Sequence, residues 1–81
     1  MSLAGLPLSL APCGTLKVTA IAGDLATRGQ LQDMGIQTGK RLQLLQSEMD
    51  EGVVIALGDT RVALGQDLAR RILVTPVEKG R

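Results

Sequence analysis

Aromatic side chains and histidine are both missing from this chain of 81 residues. Without Phe, Tyr or Trp there are no rings on which to stack nucleic-acid bases, and none to line a groove for proline-rich peptides. Without His the chain loses the commonest general base and a leading metal ligand. Cys13 is the one cysteine, which excludes an internal disulfide and a structural zinc site held within one chain. Charge of neither sign dominates. Nine Lys and Arg against eight Asp and Glu leave a net charge of +1, not the footprint of a dedicated nucleic-acid binder. No stretch approaches the ~20 apolar residues of a membrane span. Met1–Pro12 is leucine-rich but has no positive lead and is broken by Pro7 and Pro12, so no signal peptide is expected. No glycine-rich strand-to-helix loop is present to cradle a phosphate, and no His can activate a nucleophile. The chemistry left open is binding, not catalysis.

What is present is a core. Apolar residues make up 44% of the chain, mostly Leu, Val, Ile and Ala, enough for one small folded domain spanning 1–81, with its core over about 6–75 and a polar tail over 76–81. The composition fits a cytoplasmic protein. Met1–Gly5 reads as a loose end. Leu6, Leu8 and Leu10 alternate, as in a short extended segment with one buried face. Ala11–Gly14 is a turn. Thr15–Ala22 is a strand with Leu16, Val18, Ala20 and Ala22 on one face and Lys17, Thr19 and Ile21 on the other.

A short helix is expected over about 25–34, capped by Asp24 or, alternatively, started by the Thr27/Gln30 spacing of a capping box. Leu31, Met34 and Leu25 are its candidate contacts with a sheet. Gly35 is placed to close the helix in the left-handed region, with Ile36 packing back on the last turn. Gln37, Thr38 and Gly39 form a second, glycine-ended corner. Strands follow at Arg41–Ser47, Gly52–Leu57, Arg61–Leu64 and Arg71–Thr75. An acidic loop over Glu48–Gly52, a tight turn over Gly58–Thr60 and one helical turn over Gln66–Ala69 connect them. Five short strands and one inserted helix predict a mainly β fold, a small, bent antiparallel barrel whose closure removes its sheet edges.

In this order the pieces resemble the FeoA family, small partners of the bacterial ferrous iron transporter FeoB. The resemblance rests on Leu31-Gln32-Asp33-Met34-Gly35-Ile36-Gln37-Thr38-Gly39 at the helix end, supported by the Leu10–Gly14 turn, the Ala63-Leu64 pair, Ala69, and Ile72 and Val74. It covers about Leu6 to Val74. Two departures stand out. Thr38 replaces the family's usual proline, and Met49-Asp50-Glu51-Gly52 replaces a glycine-aspartate-proline before the third strand. The resemblance implies an SH3-like barrel and a role in ferrous iron uptake, by binding or regulating a FeoB-type transporter. Such domains also occur attached to metal-responsive repressors.

Three functions follow as expectations. In the first, a protein-binding face, the exposed side of the helix and its corner offer Arg28, Gln32, Gln37 and Lys40. The second is a regulatory module binding a divalent transition metal ion. Glu48, Asp50 and Glu51 offer oxygen ligands, a set better suited to magnesium or calcium than to iron, and Cys13 offers a thiolate that two copies in a homo-oligomer would share. The third is an RNA-binding barrel, which the missing rings and the isolation of Arg70 and Arg71 disfavour.

Overall fold

The structure, a computed structural model, describes residues 5–48 and 50–77. Six strands form one antiparallel sheet: β1 (Leu6–Pro7), β2 (Gly14–Ile21), β3 (Arg41–Glu48), β4 (Gly52–Leu57), β5 (Thr60–Leu64) and β6 (Ile72–Pro76), in the order β1-β6-β2-β3-β4-β5. Helix α1 (Leu25–Asp33) links β2 to β3, and a single helical turn, α2 (Gln66–Ala69), links β5 to β6. The fold is mainly β, as expected, with six strands instead of five. The sixth is the two-residue β1, paired with β6 through Leu6↔Val74 and Pro7↔Leu73. The leucine alternation that suggested a longer segment stops there. The chain enters a 3-10 turn over Leu8–Leu10, so Leu8 is fully buried while Leu6 and Leu10 are exposed. Residues 1–4 and 78–81, expected as a loose end and most of a tail, lie outside the described residues. Pro76 ends β6 as part of the strand, and the Val77 N–H donates to the Thr15 carbonyl.

Two bulges shape the sheet. In β2 the register shifts between Val18 and Ala20. Leu16 and Val18 face the core, but beyond the bulge the phase changes: Ile21 packs on the core and Ala22 is exposed, opposite to the predicted alternation. In β3 a second shift between Leu44 and Gln46 leaves Leu45 exposed. Bulges bend and twist a strand, and here the sheet curls. The 3-10 turn touches both β6 and β4, three places apart in the sheet. The side chains enclosed form one core, with Leu16, Leu44, Ile55, Leu64, Ile72 and Val74 from the sheet and Leu31, Ile36 and Ala69 from the helices and the corner. Among the described residues β1 and β5 remain end strands with no ladder between them. The expected removal of edges by pairing is therefore replaced by packing of α2 and the 3-10 turn on each other and on β4.

Helix α1 holds to this body at its C-terminal end. Asp24 caps its start by accepting from the Thr27 N–H at 2.9 Å, so the start lies at Asp24 and not at the rival Thr27. Leu25 is 82% exposed, and its expected packing on the sheet does not occur. Leu31 is the helix's one fully buried residue. The helix closes with the Gly35 N–H donating to the Gln32 carbonyl and the Ile36 N–H to the Leu31 carbonyl, both at 2.9 Å. This paired pattern needs a left-handed residue after the cap, and Gly35 supplies it at φ +88°. Leu31 and Ile36, both fully buried, form the apolar contact that accompanies such a closure.

Candidate functional site

The corner leaves a groove on the outside of the molecule. Arg28 and Gln32 lie four apart and share one face of α1. The closure at Gly35 then turns the chain back, so that Gln37 and Thr38 face them across a concavity of about 400 Å³. Ile36 and the β2 segment Thr19–Ile21 complete its lining. The β2 bulge falls within that segment, between Val18 and Ala20. The corner is tied to β2 by backbone bonds from the Gly39 N–H to the Val18 carbonyl and from the Val18 N–H to the Lys40 carbonyl, each at 2.8 Å. Thr19 Oγ1 donates to the Leu73 carbonyl at 3.1 Å, fixing the groove wall to β6. The result is a partly apolar floor with amides, a hydroxyl and one guanidinium on its rim.

Three of the four residues expected on a partner face, Arg28, Gln32 and Gln37, are thus brought together. Lys40 is not. It lines a separate cleft with Met34, Gly35, Arg41, Leu57, Gly58 and Thr60. The β2 contribution to the groove was not legible in the sequence, because it depends on the bulge that turns Thr19–Ile21 out of simple alternation.

The metal candidates do not converge. Glu48 ends β3, where it accepts from Gln46 Nε2 at 3.2 Å, and its carbonyl accepts from the Glu51 N–H. Asp50 and Glu51 are exposed in the turn that follows, and Met49 lies outside the described residues. Cys13 is exposed just before β2. Among the described residues no three Cys, Asp or Glu side chains are grouped so as to hold an ion. Arg70 pairs with Asp67 at 2.8 Å on the surface. No helix of the described residues is long and apolar enough to cross a membrane.

Comparison with known proteins gives a consistent answer. The family model for the FeoA domain matches residues 6–76. The crystal structure of an iron uptake regulatory protein (FeoA) is 34% identical, with a TM-score of 0.79, over 86% of this chain and 95% of that one. A FeoA-like protein from Clostridium acetobutylicum shares the fold at 22% identity and a TM-score of 0.78, over 99% of this chain and 95% of that one. The repressor ScaR with bound Zn²⁺ shares it at 19% identity and a TM-score of 0.83, where 95% of this chain corresponds to 39% of that one. No curated protein sequence matches the chain.

Proposed function

The chain belongs to the FeoA family, and from that premise we propose that it is a small accessory protein of ferrous iron uptake that binds a FeoB-type membrane transporter from the cytosolic side. It acts by contact and not by catalysis. The observation that carries the contact site is the convergence of Arg28, Gln32 and Gln37 on one groove walled by Ala20 and Ile21 of β2. Polar side chains around a smaller apolar patch match the rim of a protein-binding surface. The groove is also built by the stretch that most marks the family, the helix end and its glycine-closed corner. The 34% identical FeoA described above is named as an iron uptake regulatory protein, which supports the same pathway for this chain. The metal-binding reading has no grouped ligand set among the described residues to rest on, and the likeness to ScaR is one of fold.

The test is capture of the transporter from detergent-solubilised membranes of the source cell. Replacing Arg28 with Glu and Gln37 with Lys should lower retention of a FeoB-type transporter by about tenfold, equivalent to about 1.4 kcal/mol. Lys40→Glu, outside the groove, should leave retention unchanged. Equal loss in both variants would move the contact away from the groove, and no capture by the unaltered protein would remove the reading.

A further inference from the structure

We propose that the chain associates head to tail with further copies of itself, the acidic β3–β4 turn of one copy seating in a basic cleft at the opposite end of β3 on the next. The cleft is the concavity of about 390 Å³ beside Lys40 and Arg41, with Met34 and Leu57 as its apolar lining. The sheet register sets Lys17 on β2 directly opposite Arg41 on β3. Like charges face to face on a ladder destabilise it. Lys40 adjoins them and lines the cleft with Arg41. All three cations are exposed. Among the described residues none of them takes part in an ion pair, the one such pair being Arg70–Asp67 elsewhere. Asp33 at the end of α1 and Asp59 in the β4–β5 turn do not pair with them either. A cost left uncompensated within one copy marks a place where a local rule is broken for a purpose, here the reception of an anion from outside.

The complementary surface is on the same molecule. Glu48, Asp50 and Glu51 stand exposed at the β3–β4 turn. β3 has eight residues, which at roughly 3.3 Å each puts roughly 25 Å between its basic and acidic ends. The two therefore cannot meet within one copy. The charges of the two ends are opposite. Because the two surfaces differ and lie at opposite ends of one strand, the contact is heterologous and propagates from copy to copy. Exposed ion pairs are individually weak, and screening acts over about 8–10 Å at physiological salt. The association is correspondingly weak and salt-sensitive.

Sedimentation velocity on the whole protein, at on the order of 1 mM and in about 20 mM against about 500 mM salt, tests this. The expected result is an average mass above the monomer at low salt that returns to the monomer at high salt. Lys17→Glu supplies Arg41 with a partner within its own copy, so it should raise the melting temperature while abolishing association. That pairing of effects separates loss of the surface from loss of the fold. Asp50→Lys with Glu51→Lys should also give a monomer. Mixed together, these two variants retain one intact surface each and should form a dimer and nothing larger. A monomeric unaltered protein at low salt, undiminished association of Lys17→Glu, or species beyond the dimer in the mixture would each overturn the proposal. The first of these would leave the cleft to an acidic segment of another protein.

Discussion

A Cβ placed on Gly52 would overlap the Leu64 carbonyl and lie 2.9 Å from the Gly65 Cα, and the backbone there has φ +121°. Both obstacles are main-chain atoms of the neighbouring strand end, so no flexible side chain can yield. Gly35 also has a left-handed backbone, at φ +88°, but nothing stands within 4 Å of its would-be Cβ. The two glycines therefore separate two costs. Gly35→Ala should lose about 1–2 kcal/mol of stability, the backbone penalty alone. Gly52→Ala should lose more, at least about 2–3 kcal/mol, because overlap adds to strain. Urea midpoints at constant slope measure both. The role of Gly35 was legible from the chain, because it follows a helical spacing and precedes an apolar residue. That of Gly52 was not. Its obstacle sits twelve positions away and is brought near only by the β4–β5 pairing of Val53 with Leu64.

At the scale of elements, α1 is a helix with one deep anchor and one good cap. Leu31 is fully buried and also provides the carbonyl that closes the helix. Leu31→Ala should cost about 3 kcal/mol, a large share of the stability of so small a domain, and should lower the helical signal in circular dichroism together with the melting temperature. The cap carries a pH dependence whose sign follows from its hydrogen bond. The Thr27 N–H, aided more weakly by the charge of Arg71, holds the Asp24 carboxyl below its ordinary value of 3.8. The folded chain thus binds fewer protons than the unfolded chain as acid is added. The cap's contribution is full above the ordinary value and is lost as pH falls through the lower, folded one. Asp24→Asn keeps the cap without the charge. The melting-temperature difference between the unaltered protein and this variant should therefore shrink between about pH 6 and about pH 2. A constant difference would mean that the Asp24 carboxylate adds nothing at this end of the helix. The element map was largely legible because strands and turns follow alternation and glycine placement. The parts that escaped are the bulges after Val18 and Leu44, which are set by partner strands, and the 3-10 turn that breaks the Leu6–Leu8–Leu10 alternation.

For the whole molecule, the corner over residues 34–41 is the shared wall of two concavities that have no lining residue in common. One side carries Arg28, Gln32 and Gln37 beside Ala20 and Ile21, and the other carries Lys40 and Arg41. The sequence placed all four of its candidate partner residues near this corner, and helical spacing brought Arg28 and Gln32 to one face. It grouped Lys40 with them because nearness along the chain does not reveal which way a turn faces. The opposition of Lys17 and Arg41 was hidden for a related reason, since it exists only once the β2–β3 register is fixed. Two surfaces without shared residues should be separable by mutation. Arg28→Glu should weaken capture of the transporter and leave the salt-sensitive self-association intact, whereas Lys17→Glu should do the reverse. Residues this far apart, with no common partner, are expected to act additively, so the double variant should show both losses and no more. If Lys17→Glu also weakened capture, the transporter would be recognising an assembly and not a single copy. The groove would then present its rim once per repeat, and linking several weak sites in this way raises apparent affinity without any new contact. Capture by Asp50→Lys with Glu51→Lys at low salt distinguishes the cases, because this variant is expected to be monomeric with both the groove and the cleft intact, so only recognition of an assembly would be lost with it.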